Sequence, residues 1–339
     1  MSDFLPVNPA VSAVIPTRNR PASLARLLGS IAGQTRRPGE VIIVDASDVP
    51  ADEEVLRQRF PSLNIRIIPS EPALCRQRNL GIARASGELI LLADDDIAFP
   101  PGYLSTIMVY LAAHPTDGAV SGSLQEASGG TPPDRALLRP GRVLWKFVFQ
   151  TSVWGDPAPL RGSRWAAPLL HYYRRRGNTF SSAGWPLLTD ASPPAFRTAV
   201  YGLGGAVVRR SWLRDAPYDE SLDRSGIGDN YGVALGLPGD LPVVVLTDIS
   251  HLHHRAQEER LPPSRSYVLR VLALDYFMAR SARFNRWNRL MLRWSLLGNT
   301  LGFALTGSFR TAAAAFAVLF RLLCGLNPYL RRTGALRRG

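Results

Sequence analysis

Lysine is almost missing from this 339-residue chain: Lys146 is the only one, and arginine carries the rest of the positive charge. No Gly-Lys-Ser/Thr occurs, which excludes a Walker A phosphate loop. Cysteine is equally scarce. Cys75 and Cys324 are too few for a disulfide framework, so a reducing cytoplasm is the expected setting. The opening Met1-Ser2-Asp3-Phe4-Leu5-Pro6 has neither a charged n-region nor a continuous apolar core, so no secretory signal is expected there. Apolar runs reaching the roughly 18 residues of a bilayer span are lacking too. Nor is there a disorder signature, since 46% hydrophobic and 20% charged residues make a globular composition. The length suits two domains, or one large domain with an appendage.

The net charge of +13 is unevenly placed. Residues 264–339 hold thirteen arginines against one acid, Asp275, so nearly all of the excess belongs to the tail. Upstream the chain alternates apolar runs with helical periodicity. Val11 to Ile15 reads as a strand ending at Pro16, and Pro21 suits a first helical turn. Leu24, Leu27, Leu28 and Ile31 then recur at helical spacing, and Gly33 falls where a helix ends. Strands are expected at Val41 to Asp45 and Asn64 to Ile68, with helices at 51–60 and 73–85. The apolar run from Glu88 to Ala93 delivers Asp94, Asp95 and Asp96. This order predicts an α/β fold whose mostly parallel sheet is covered on both faces. Ligands in such sheets bind at the carboxyl ends of the strands, where Thr17, Asp45 and the three aspartates all fall.

Three adjacent carboxylates at a strand end repel one another and shift each other's pKa. A divalent cation carrying a phosphate would relieve the conflict; a solvated turn capping the next helix is the plainer reading. Between 114 and 198 the pattern dissolves into Gly, Pro, Trp and Arg, a loop-rich stretch expected to form a lid or binding wall. Its Trp145, Trp154, Trp165, Tyr172, Tyr173 and Trp185 suit stacking on sugar rings or packing the segment to itself. Regular structure resumes at 200–209, 229–237 and the strand 243–247, followed by His251, His253 and His254. Gly202-Leu203-Gly204-Gly205 lacks the third glycine of a dinucleotide fingerprint, but leaves room for close approach to backbone.

Val14-Ile15-Pro16-Thr17-Arg18-Asn19-Arg20, Val44-Asp45, Arg78-Asn79-Leu80-Gly81 and Asp94-Asp95-Asp96 resemble, in order and spacing, the motifs of family 2 glycosyltransferases, inverting enzymes of the GT-A fold. The resemblance covers about residues 10–255. It implies that Pro16, Thr17 and Asp45 line the nucleotide base pocket, with Asp45 accepting from the ring imide of a uracil or thymine. Arg78 would meet the base or diphosphate, with Arg76 as its substitute. Asp94 would meet the ribose and Asp96 a Mn²⁺ or Mg²⁺ ion bridging the phosphates, which leaves Asp95 without a role. The family's catalytic base lies in an acidic pair opening a helix. Gly226-Ile227-Gly228-Asp229-Asn230-Tyr231 takes that place, so Asp229 is the expected base. Gly228 stands where the family usually has Glu, and Asp223 is the fallback; Asp229 as an ordinary N-cap is the plainer alternative. A histidine after the next strand would add a metal ligand, His253 being favoured over His251 and His254.

By these readings residues 1–263 form the catalytic domain: a nucleotide-binding half (1–113), the loop-rich acceptor-side insert (114–198) and an acceptor and base segment (199–263). The tail, 264–339, interleaves arginine and tryptophan with apolar residues. That pattern suits helices lying on an anionic membrane surface or a helical cap on the domain, and nucleic acid is not an expected partner. The resemblance implies transfer of a sugar from a nucleotide-diphosphate donor to a glycan or lipid-linked acceptor. The enzyme would be peripheral on the inner face of the cell membrane, in cell-surface polysaccharide or glycolipid synthesis. A sugar-phosphate nucleotidyltransferase and a non-catalytic nucleotide-sugar binder are the rivals.

Overall fold

Continuous apolar runs become strands because both of their faces are covered. In the computed structural model, which describes residues 10–127, 140–155, 164–191, 194–222, 224–254 and 261–332, β1 (Val11–Thr17) is buried along its whole length. The unit continues through α1 (Pro21–Ala32), β2 (Glu40–Asp45), α2 (Glu53–Arg59), β3 (Ile65–Pro69), α3 (Leu74–Arg84) and β4 (Leu89–Leu92). Helix α1 buries Leu24, Leu27, Leu28 and Ile31, the face expected from their spacing. Helix α3 differs, since it turns Gln77, Arg78 and Asn79 inward. It lies so close to the sheet that a Cβ on Gly81 would come within 2.4 Å of Val14 Cγ1.

Beyond β4 follow β5 (Ile97–Ala98), α4 (Tyr103–Ala113), β6 (Ala119–Glu126), α5 (Pro140–Val148), β7 (Val153–Trp154), α6 (Ala167–Arg176) and β8 (Leu187–Leu188). Then come β9 (Ala195–Thr198), β10 (Val207–Arg209), α7 (Asp229–Gly236) and β11 (Val243–His253). Among the described residues nine strands form the main sheet, in the order β3-β2-β1-β4-β10-β6-β11-β5 with β9 beside β11. The strands β1–β4, β6 and β11 run one way; β10, β5 and β9 run against them. The sheet is therefore mostly parallel, with a reversed strand at its centre.

Two expectations need correction. The stretch expected to be loop-rich contains β6, a central strand between β10 and β11. Its Ser121, Gly122 and Ser123 hide it from an apolar pattern, but Gly122 is needed because the Tyr103 ring lies 2.7 Å from where a Cβ would be. The last strand is also longer than expected. After a bulge between Leu246 and Ser250 it continues to His253, so His251 and His253 lie on the strand rather than beyond it.

The C-terminal helices are α8 (Pro263–Arg280), α9 (Arg286–Leu305), α10 (Phe309–Leu323) and α11 (Pro328–Arg332). Helix α8 is not a surface appendage: its residues 271–278 are buried, and they join the core beneath α7 and the sheet. Asp275 is 1% exposed and is held by Arg289 Nε at 3.1 Å and Asn327 Nδ2 at 2.9 Å, tying α8 to α9 and α11. Segment 309–332 is long and apolar enough to cross a membrane by length and composition, contrary to the reading from uninterrupted runs. The backbone turns at Gly325 (φ +67°), and the 15 residues of α10 reach only about 22 Å.

Candidate active site

At the carboxyl ends of β1 and β4 the three aspartates diverge. Asp95 is almost wholly buried. Its two oxygens take Thr17 Oγ1 at 2.8 Å and Arg20 Nη1 at 3.0 Å. Burial pushes its pKa up to about 6, Arg20 and the Thr17 hydroxyl pull the other way, and Asp96 adds to the rise. Asp95 thereby gains a structural role, locking the Thr17 end of β1 to the loop after β4. Asp96 turns elsewhere: its Oδ2 lies 3.3 Å from His253 Nε2, and its carbonyl accepts the His254 amide at 2.8 Å. The His253 Nδ1 lies 3.6 Å from Glu126. The contact with Asp96 raises the His253 pKa, burial opposing it and Glu126 and Asp94 assisting.

Arg78 reaches from α3 between the other carboxylates. Nη2 donates to Asp94 Oδ1 at 2.5 Å and Nη1 to Asp229 Oδ2, and the guanidinium lies 5.0 Å over the Tyr218 ring. Burial raises the Asp229 pKa; Arg78 opposes the rise and Asp94 adds to it. The expected nucleotide ligand and the expected base are thus one ion-paired unit. Gln77 fixes the helix that carries Arg78, donating to the carbonyls of Thr17 and Val44 at 3.0 and 2.9 Å.

Asp229 opens α7 directly after Gly228, whose φ of +98° is left-handed. A Cβ on Gly228 would lie 2.5 Å from Ala273 Cβ of α8. The missing second acid therefore has a packing cause, since α8 occupies the space where a longer side chain would begin. The other glycine run is explained likewise. A Cβ at Gly204 would strike Asp94 Oδ2 at 2.1 Å, and Gly205, at φ +121°, lies against the His251 ring. His251 is 1% exposed, beside the Tyr103 hydroxyl at 3.2 Å, and burial pulls its pKa down to about 4.

These groups line one cavity of about 980 Å³. Pro16, Thr17, Arg78, Asp94, Asp96, Asp229 and His253 all border it. Asp45 does not; its two oxygens accept the amides of Ser47 and Ala51 at 2.8 and 2.7 Å. The fallback acid Asp223 lies outside the described residues, as does the side chain of Trp165. Lys146 donates to the Ser152 carbonyl and does not border the cavity. Sequence reasoning missed Arg20, Gln77 and Glu126, because a lone arginine in a turn and polar residues on a helix or strand end carry no pattern of their own.

Among the described residues no cluster of three or more His, Cys, Asp or Glu side chains is arranged to hold a metal ion. One carboxylate and one imidazole, Asp96 and His253, adjoin the open cavity. That donor set fits Mn²⁺, and it fits Mg²⁺ where substrate phosphates and water complete the coordination.

Residues 12–164 match the family described as glycosyl transferase family 2. The validoxylamine A glucosyltransferase of Streptomyces hygroscopicus subsp. limoneus is 26% identical over 242 residues, covering 63% of this chain and 53% of that protein. The chain spans 35% to 57% of the length of the first curated relatives it matches. Staphylococcus aureus TarS 1-349 superposes with a TM-score of 0.53 at 15% identity, over 92% of this chain and 80% of that one. The mannosyltransferase PcManGT of Pyrobaculum calidifontis, solved with GDP-Man and Mn²⁺, gives 0.51 at 16% identity, over 93% and 87%. These two likenesses concern the fold, which is GT-A, as the sequence motifs led one to expect.

Proposed function

We propose that this chain, which matches glycosyl transferase family 2 over residues 12–164, is a member of that family and moves one sugar from a nucleoside-diphosphate donor to an acceptor hydroxyl with inversion at the anomeric carbon. The observation that carries the proposal is the meeting of Asp94, Asp96, Arg78, Asp229 and His253 in one cavity, although they come from four separate stretches of chain. Pro16, Thr17 and Asp94 face the nucleoside, while Asp45 shapes the base pocket through its loop. Asp96 and His253 would hold a Mn²⁺ or Mg²⁺ ion. When bound, that ion supplies positive charge to the departing diphosphate.

Asp229 takes the proton of the acceptor hydroxyl. The acceptor oxygen then bonds to the anomeric carbon as the bond from that carbon to the diphosphate breaks. Burial raises the Asp229 pKa, which suits a general base better than an ordinary surface carboxylate. Arg78, held on both Asp94 and Asp229, keeps the base at a fixed distance from the donor end. No lysine borders the cavity, which argues against the nucleotidyltransferase reading.

The acceptor is a glycan or a lipid-linked molecule, and the C-terminal helices lie on an anionic membrane surface. Trp287, Leu290, Trp294, Leu297 and Leu301 form an exposed stripe on α9, with Phe309, Phe316, Phe320 and Leu323 forming another on α10. Exposed Arg286, Arg310 and Arg321 adjoin them in sequence, the charge complementary to anionic lipid.

Calorimetry with UDP, dTDP, GDP and CDP, each with and without Mn²⁺, tests the donor and metal assignments. One nucleotide should bind with Mn²⁺ dependence that Asp96→Ala removes, and unchanged affinity in that variant overturns the metal assignment. Asp229→Asn should keep that binding and lose turnover by at least about 100-fold; retained kcat moves the base elsewhere.

A further inference from the structure

The arginines that border the cavity fall into two groups. Arg20 and Arg78 are paired with the aspartates. Arg224, Arg265 and Arg270 also border it, and no ion pair joins any of them to an acid among the described residues. Arg265 and Arg270 lie on α8 with Ser266 and Leu274, which border the same cavity. The one acid of α8, Asp275, is engaged by Arg289 and Asn327 on the packed side of the helix. Arg270 is exposed on the cavity side, and the protein around it lowers its pKa by burial, with Tyr267 acting in the other direction. A cation held in that setting without a carboxylate favours an anion from outside.

The contacts also say which end of the cavity this is. Asp94 touches Arg78, Arg78 touches Asp229, Asp229 follows Gly228, and Gly228 abuts Ala273 of α8. In that line of contacts α8 comes next after Asp229, and Arg270 lies one helical turn from Ala273. We propose that this end of the cavity is a subsite for a phosphate group on the acceptor, gripped by Arg265 and Arg270 of α8 with Arg224 of the loop before α7. The identity of the site as a transferase cavity rests on the functional reading above; the anion subsite adds the acceptor's chemical class.

The same wall packs on α9, the helix that carries one of the apolar stripes. Trp185, which borders the cavity, donates to Ser295 Oγ of α9 at 2.8 Å, and Tyr267 of α8 accepts from Asn299 of α9 at 2.9 Å. An acceptor with a phosphate head and an alkyl tail can place the head on the arginines and leave the tail to the apolar part of the lining, Leu261 and Leu274.

Titration with octyl phosphate below its micelle concentration, inorganic phosphate and the uncharged octyl glucoside tests this subsite. Octyl phosphate should bind wild type at least about tenfold more tightly than it binds Arg265→Gln/Arg270→Gln, and octyl glucoside should not distinguish the two proteins. Nucleoside-diphosphate affinity and the urea midpoint should stay unchanged in the variant. Inorganic phosphate binding as well as octyl phosphate assigns the subsite to the phosphate group alone; tighter octyl phosphate adds the tail. Equal octyl phosphate affinity in both proteins overturns the proposal, and so does a matching loss of nucleoside-diphosphate affinity, which would hand the arginines to the donor. If wild type binds no nucleoside diphosphate but the arginine-dependent octyl phosphate site persists, the donor reading fails and the anion subsite stands.

Discussion

Arg78 is the residue on which the site depends most. It is 6% exposed and holds two carboxylates, so its removal leaves Asp229 buried without its cation. Breaking a buried pair from one side costs about 3–5 kcal/mol. Arg78→Met should lose stability on that order in urea unfolding, and adding Asp229→Asn should recover much of it. An unchanged midpoint in the single variant would mean that the pair does not support the fold. Three adjacent acids at a strand end made Asp94 to Asp96 legible as a cluster, and the resemblance to family 2 glycosyltransferases added Arg78, on the helix before that strand. The sequence does not show that Arg78 and Asp229, 151 residues apart, share a hydrogen bond. Nor does it show that Asp95 is consumed by Thr17 and Arg20, because adjacent aspartates look alike until the backbone turns them apart.

Among the elements, β1, β2 and β4 were legible because runs such as Val41-Ile42-Ile43-Val44 have no solvated face to interrupt them. Strand β6 was not, because its small polar residues answer to the Tyr103 ring rather than to a period of two. Helix α8 misled in the opposite direction: its arginines suggest a surface helix, whereas they occupy the cavity border and the helix ends around a buried centre. Gly228→Glu should cost about 1–3 kcal/mol through overpacking against α8, and Ala273→Gly in the same chain should relieve part of it. A lone Gly228→Glu as stable as wild type would disprove the collision. Strand β2 offers a test by pH. The Glu40 carboxylate accepts from Ser12 Oγ, Ser86 Oγ and the Ser86 amide at 2.6, 2.6 and 2.7 Å. Burial opposes ionisation there, but these hydrogen bonds and Arg66 carry its pKa below the ordinary 4.5. A lowered folded pKa gives stability that is present above the unfolded value and lost as pH falls through the folded one. The gap in urea midpoint between wild type and Glu40→Gln should therefore hold near neutrality and close below about pH 4.5; a gap that is flat to pH 3 would exclude Glu40 as its source.

For the whole molecule, the question is how it meets a surface. Because α8 belongs to the core, deleting 264–339 would take buried Leu272, Tyr276 and Met278 out of that core and could not isolate a membrane function. Substituting Trp287, Phe316 and Phe320 with Ser leaves that core alone. The triple variant should lose co-sedimentation with anionic vesicles while its nucleotide affinity and midpoint stay unchanged; full retention on the vesicles would make the stripes merely a rim of the fold. The contact between Gly228 and Ala273 reaches further than stability. It couples two distant segments of the chain: the helix at 263–280 dictates which residue may precede Asp229 some forty positions earlier. A chimera pairing this C-terminal segment with a relative's catalytic half would inherit a conflict wherever that relative carries an acid before its base. Lineages of this chain should accordingly vary positions 228 and 273 together, so the specificity of the cavity and the architecture of the tail descend as one unit.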